Sequence, residues 1–253
     1  MPQPFIVDSV ISLLREENSF PNLSVLDLSC GEGELLVTCK ELGCQVRGSR
    51  YRSEDYIIRH DRLVMNPSAS SIVIDEGVDL HKALPYENES FDVVILTEVV
   101  EHLVEYRTVM YEAARVVKPG GIVIVTTPNI FRLHSRWNFF LFGTHKVINR
   151  RLGWDLAPND LYAYHISPVD VPYLHVLAHH GGLDLEKFKL TRFKWRHAVW
   201  LLGYPLFKLL ALLYYRGGSR GSVRRAGDDK LRGVMSSFAT LFSEQLCFLY
   251  RRQ

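Results

Sequence analysis

The stretch VLDLSCGEGELL (residues 25–36) decides the fold. Its first half is an apolar run broken by a single acid, Asp27, and its second half opens a helical pattern with glycines at positions 31 and 33. A strand that passes into a helix through glycines exposes bare main chain, because no side chain blocks close approach. The first free N–H groups of the helix point at the same spot. In open α/β sheets ligands sit beyond the carboxyl ends of the strands, near the point where strand order reverses. The turn is therefore either a ligand loop or a tight bend that merely joins two elements, and the surrounding chain has to choose.

From residue 24 onward strand and helix patterns alternate with short connections, which predicts a parallel sheet covered by helices on both faces. Strands are expected at 24–29, 44–48, 71–74, 91–97, 121–127 and 183–192, and helices at 33–42, 53–60 and 98–117. The run FDVVILT (91–97) is almost wholly apolar, as a strand buried on both faces must be. KPGG (118–121) reads as a helix stop. EQLCFLYRR (244–252) alternates apolar and polar residues and reads as an edge strand. With 253 residues, 47% of them hydrophobic, the chain can bury a substantial core, so one domain over 1–253 is expected.

A formal net charge of +2 selects no partner. The four cysteines, Cys30, Cys39, Cys44 and Cys247, have neither zinc-site spacing nor the density of a disulfide scaffold, so a reducing cytosol is expected. The first residues lack a basic n-region and read as an amphipathic helix with Phe5, Ile6, Val10, Leu13 and Leu14 on one face.

VLDLSCGEG resembles the first motif of the class I S-adenosylmethionine-dependent methyltransferases, whose usual form has glycine where Ser29 stands. Further segments follow in that family's order: VDLHKALPYENESFDVVILTEVVEHL (78–103), EAARVVKPGGIVIVTTPN (112–129), HISPVDVPYLHVLAHHGGLDLEKF (165–188) and LFSEQLCFLYRR (241–252). The resemblance covers nearly the whole chain. It implies a Rossmann-like α/β fold with a seven-stranded, mostly parallel sheet, an antiparallel last strand and helices on both faces. It implies S-adenosylmethionine as the cofactor, with Asp27 and the backbone at Ser29, Gly31 and Gly33 at its methionine end. Asp79 and Leu80 would meet the adenine, and Thr97 and Glu98 would line the pocket floor.

One position departs from the pattern. The family closes its second strand with a carboxylate that grips the ribose, whereas here Arg50, or Ser49 in a shifted register, stands there. Arginine accepts no hydrogen bond. Either Glu54 or Asp55 swings in, or affinity falls, or another ligand bearing negative charge is held.

On a helix starting near residue 98, Glu98, Glu101 and His102 share a face, so two carboxylates and an imidazole would converge beside the methyl donor. These three are the candidate catalytic residues. His102, with a reference pKa of about 6.5, is the expected base for a hydroxyl acceptor. The same E-x-x-E-H spacing is similar to that of ubiquinone-pathway and small-RNA 2′-O-methyltransferases that bind a metal there, with His165 as a further ligand. The alternative without metal is favoured for this chain, since E-H-L occurs in methyltransferases that need none.

Residues 129–165 are too long for a simple connection and mix Phe131, Trp137, Phe139, Phe140, Trp154, Tyr162 and Tyr164 with basic residues. They form the expected substrate-recognition insertion, or else the aromatics pack a lid. Similar insertions after TPN occur in methyltransferases associated with surface-glycan synthesis. The expected activity is O-methylation of a small, glycan-linked or lipid-linked acceptor in the cytoplasm or at the inner membrane face, with nucleic acid the less favoured partner. A metal-assisted RNA 2′-O-methyltransferase and a cofactor-binding protein without turnover, the latter motivated by Ser29 and Arg50, are the alternatives. A second insertion, 196–240, holds the apolar stretch 198–215 and then a glycine- and arginine-rich segment. Gly203, Pro205 and Lys208 interrupt it, leaving two packed helices or a peripheral membrane contact as the alternatives.

Overall fold

The computed structural model describes residues 4–17, 21–51, 71–145, 167–193, 195–217 and 226–253. Seven strands form one sheet: β1 (Ser24–Leu28), β2 (Gln45–Arg50), β3 (Val73–Glu76), β4 (Phe91–Thr97), β5 (Val117–Pro128), β6 (Leu183–Leu190) and β7 (Gln245–Arg252). Their spatial order is β3-β2-β1-β4-β5-β7-β6. Neighbours are parallel except for β7, which runs antiparallel to both β5 and β6. The chain walks outward from β1 to β3 and then crosses back to lay β4 on the other side of β1. The order therefore reverses between β1 and β4, and the crevice at their carboxyl ends is where such sheets bind ligands.

Helices cover both faces. On one side α1 (Pro4–Glu16) and α2 (Glu34–Glu41) pack Val10, Leu13, Leu14, Leu35 and Cys39 against Val25, Val93, Ile124, Cys247 and Leu249. On the other, α3 (Arg107–Val116) and α5 (Val171–His180) bury Met110, Ala113, Leu174 and Ala178 against Leu26, Val94, Val123, Leu246, Phe248 and Tyr250. The period of two along each strand thus feeds alternate side chains to the two helical layers. Between β5 and α5 lies α4 (Leu133–Phe142). A 3-10 helix (Trp195–Gly203), α6 (Tyr204–Gly217), α7 (Ala226–Met235) and the short α8 (Phe238–Phe242) join β6 to β7.

Three local expectations are corrected. The helix expected at 98–117 is broken: β4 ends into Glu98 at φ 53°, a 3-10 turn covers Val100–His102, and only Arg107–Val116 is α-helical. A residue held in the left-handed region cannot start an α-helix, and the turn it makes redirects the chain. KPGG does not separate helix from strand, because β5 begins at Val117 and runs through it, with a register shift opposite Phe91–Val93. The last strand is no edge: β7 lies between β5 and β6 and is buried from Gln245 to Tyr250, so β6 and β3 are the edges. The helix expected at 53–60 lies outside the described residues.

Gly48 carries a constraint that places the site. It sits in β2 opposite Asp27, and a Cβ there would come within 2.6 Å of Cys30 Sγ and 2.8 Å of Leu36 Cδ1. The glycine turn after β1 can lie flat on β2 only because this position is empty. Gly48→Ala is expected to destabilise the protein by about 1–3 kcal/mol, as overpacked core positions do, measured by urea unfolding against the parent.

Candidate functional site

The turn leaving β1 alternates left-handed residues: Ser29 at φ 65°, Gly31 at φ 56° and Gly33 at φ 82°. Gly33 N–H donates to the Cys30 carbonyl (2.9 Å) and Cys30 N–H to the Ser49 carbonyl (2.9 Å), which ties the turn to β2. Gly33 then caps α2 with no side chain on the first helical N–H groups. A Cβ on Gly31 would meet nothing within 4 Å, so the main chain there borders open space. Serine at 29 bears a steric cost that glycine would not, on the order of 1 kcal/mol.

Beneath this turn Asp27 is buried, at 3% exposure, and its Oδ1 has no hydrogen-bond partner among the described residues. Burial pushes its carboxyl up to about 8. Glu32, between the two glycines, is also buried and has an Oε2 without a partner among the described residues. Two carboxylates with unused acceptor capacity thus bracket the bare main chain. That arrangement suits a ligand carrying a cationic N–H group, which would supply the missing donors.

Arg50 closes β2, as the sequence indicates, and is buried. Its Nε donates to Glu76 Oε1 (2.6 Å), a second nitrogen pairs with the same oxygen, and its Nη1 donates to the Gly31 carbonyl (3.1 Å). The guanidinium therefore staples the glycine turn to Glu76, the last residue of β3 and the register partner of Arg50. The Glu76 carboxylate is half exposed.

Across the strand reversal, Glu98 is a second strained residue. Its N–H donates to the Thr126 carbonyl and to Thr126 Oγ1, while Thr126 Oγ1 donates to Glu98 Oε1 (3.1 Å). Glu101, at 1% exposure, accepts from Thr127 Oγ1 (3.2 Å) and keeps Oε1 without a partner among the described residues. Burial raises both carboxyls above the usual carboxylate range, and the charge of Glu98 adds to the rise at Glu101. Thr97 Oγ1, at the end of β4, is buried with no partner among the described residues. His102 ends the 3-10 turn, partly exposed.

Over residues 26–125, from β1 to the middle of β5, the sequence matches the methyltransferase-domain family. Over these residues, about two fifths of the chain, the sequence is similar to methyltransferase domains. Its fold is similar to that of an S-adenosylmethionine-dependent methyltransferase from Archaeoglobus fulgidus, with a TM-score of 0.54 at 19% identity over 97% of this chain and 94% of that one. It is similar also to magnesium protoporphyrin IX methyltransferase from Synechocystis, solved with bound S-adenosylhomocysteine, with a TM-score of 0.55 at 16% identity over 98% and 82% of the two chains. At these identities the likeness is one of fold. In sequence, the ubiquinone biosynthesis O-methyltransferases of Bartonella tribocorum and Brucella anthropi are 30% and 33% identical to it over 129 residues, 51% of this chain and 50% of each relative. The enzyme of the same name from Maricaulis maris is 27% identical over 181 residues, 68% of this chain and 63% of that one. The chain spans about half the length of most of these curated relatives.

Within this fold the expected residues fall at one end of the sheet. Asp27, Ser29, Gly31 and Gly33 form the β1 turn, Asp79 and Leu80 the loop after β3, and Thr97, Glu98, Glu101 and His102 the segment after β4. The Asp79 carboxylate is engaged locally, accepting from His81 N–H (3.0 Å) and pairing with Lys82 (3.1 Å). Burial works to raise its carboxyl, but the bonds from His81 and Lys82 outweigh that and hold it below the usual range. Among the described residues no three His, Cys, Asp or Glu side chains converge so as to hold a metal ion. His165, Glu54 and Asp55 lie outside them. The sequence reading missed Glu32 and Glu76. An acid between two glycines was a visible signal for Glu32, whereas Glu76 matters only through its register with Arg50.

Asp27 also sets a pH dependence of stability. Its folded value of about 8 lies above the unfolded one of about 3.9, so the folded state holds a proton that the unfolded chain releases. Its contribution is greatest below about pH 4 and is lost as pH rises towards 8. Asp27→Asn is expected to flatten the fall of Tm between pH 5 and 8 and to raise Tm at pH 7.5, measured by calorimetry across that range.

Proposed function

We propose that the protein is an S-adenosylmethionine-dependent O-methyltransferase acting on a small acceptor that is lipid-linked or glycan-linked. The observation that carries the cofactor half of this reading is Asp27: a buried carboxylate with an unused oxygen, lying under bare main chain at the strand reversal. The family match over residues 26–125 supports it. Oxygen is favoured as the acceptor because the curated relatives are named O-methyltransferases, and a lipid-linked acceptor agrees with their being named for ubiquinone. The glycan-linked version rests on the aromatic and basic segment after β5.

When bound, S-adenosylmethionine supplies a methyl group already activated on sulfur. The chain's own part is to hold and align, which is catalysis by proximity and orientation. Asp27 and Glu32 accept from the ligand's ammonium group, and the open side of Gly31 lets the chain of the ligand lie against the backbone. Leu80 offers an apolar wall to the adenine and Asp79 an acceptor beside it. For the ribose, Glu76 takes the part that the residue ending β2 leaves vacant: Arg50 cannot accept a hydrogen bond but turns Glu76 towards the Gly31 turn. His102 receives the proton of the acceptor hydroxyl, while Glu98 and Glu101 fix the turn that carries it through Thr126 and Thr127.

Isothermal titration with S-adenosylhomocysteine tests the cofactor site. Binding is expected, with uptake of charge at Asp27 releasing about one proton per ligand, so that affinity falls up to tenfold per pH unit below 8. Asp27→Asn removes that slope, and Glu76→Gln weakens binding about tenfold or more, the scale of a hydrogen bond to a charged group. No binding at any pH would refute the reading in favour of a degenerate site. His102→Ala is expected to lower kcat at least tenfold with affinity for S-adenosylhomocysteine unchanged, read by transfer of labelled methyl to acceptors in a cell extract.

A further inference from the structure

The described surface carries one large apolar face that the fold leaves uncovered. On α4, Trp137, Phe140 and Phe142 are exposed, Phe140 by 76% and Phe142 by 65%. On the 3-10 helix and α6, Leu202 is 86% exposed, and Leu206, Leu209 and Leu213 are each more than half exposed. The two elements are one layer: Trp137 packs against Trp200 with ring centroids 5.9 Å apart, and Trp200, Tyr204 and Phe207 anchor the layer on Leu133, Leu241 and Phe242. One side of α6 therefore holds the protein, and the other presents leucines to solvent. A patch of this kind marks an interaction surface.

Charge identifies the occupant. Between Glu186 and Asp228 the chain has no acidic residue and ten Lys or Arg, of which Lys187, Lys189 and Arg192 are taken up by Glu17, Glu16 and Glu244. Between Glu112 and Asp155, the stretch that contains α4, there is again no acid. Both apolar elements thus lie in acid-free, basic sequence, although the whole chain is nearly neutral at +2. Exposed leucines and aromatics set among basic residues suit an interface whose apolar layer lies under anionic headgroups. None of the described helices is long and apolar enough to cross a membrane. α6, with 14 residues, is about 21 Å long, short of the ~30 Å hydrocarbon core.

We infer that α4, the 3-10 helix and α6 together form a docking surface for an anionic lipid bilayer, lying in its interface rather than spanning it. The surface stands at the working end of the molecule, since α4 follows the carboxyl end of β5 and the 3-10 helix follows that of β6, the same end as the β1 turn. An acceptor carried in the membrane would then enter the cleft from the lipid side. This step deepens the lipid-linked half of the proposed function and rests on it, whereas the docking surface itself does not.

The test is co-sedimentation of the full chain with vesicles of phosphatidylglycerol and phosphatidylcholine, against vesicles of phosphatidylcholine alone. Most of the protein is expected to pellet with the anionic vesicles, and at least fivefold less with the neutral ones. The triple variant Phe140→Glu, Leu209→Glu, Leu213→Glu is expected to reduce pelleting at least tenfold with unchanged affinity for S-adenosylhomocysteine, which shows that it is folded. Failure of the parent to pellet with anionic vesicles, or pelleting that the triple variant does not change, overturns the inference. So does a dimer in analytical ultracentrifugation that the triple variant dissolves without any vesicle binding, which would assign the face to a second copy. A chain that pellets yet binds no S-adenosylhomocysteine would sink the proposed function and leave the docking surface standing.

Discussion

The rest of the site depends on one carboxylate kept out of water. Asp27 sits in a strand packed on both faces, under a turn held to β2 through Cys30 and Ser49, with an oxygen that nothing among the described residues satisfies. Such a group costs stability in the folded protein, and an apolar residue of similar size would remove that cost. Its burial is a consequence of geometry: Gly48 lets the turn press down onto β2, and Arg50 pins the turn from the side through the Gly31 carbonyl. The backbone of the turn is strained at Ser29, and the neighbouring strand is strained at Glu98. Non-glycine residues in the left-handed region persist where the surroundings over-determine them, and here both flank the same crevice.

The charges around that crevice are sorted by what they touch. Arg50 is consumed by Glu76 and a backbone carbonyl, so it neutralises one acid whose carboxylate is half exposed. Glu98 and Glu101 are tied to adjacent threonines of β5 and share a poorly solvated space, which disfavours both carrying full charge at once. Buried acids with raised carboxyls thus stand on both sides of the strand reversal, Asp27 on one and Glu98 with Glu101 on the other.

Much of this was legible in the residues. The apolar run FDVVILT and the glycines at 31 and 33 identify the central strands and the turn between β1 and α2, because burial on both faces and positive φ leave direct marks on composition. The continuous helix expected at 98–117 failed because its periodicity spans a left-handed residue, and φ at Glu98 is imposed by hydrogen bonds to Thr126, 28 positions away. The strand expected at 244–252 read as an edge from an alternation of apolar and polar residues that ends in Arg251 and Arg252. Their side chains instead reach carbonyls and carboxylates of other elements at the far end of the sheet, while the preceding six residues are sealed. Glu76 gave no sign of its part, since its partner Arg50 is set by cross-strand register and not by spacing.

The placement of β7 has a consequence for how the protein is made. Because β7 separates β5 from β6, neither of those strands can reach its final neighbour until residues 245–252 have left the ribosome. During synthesis β5 therefore offers an unpaired apolar border, and the half of the sheet built from β1 to β5 must wait with that border open. The native sheet therefore closes only once β7 is available, and a nascent chain stalled before that point is the one a chaperone would have most reason to hold.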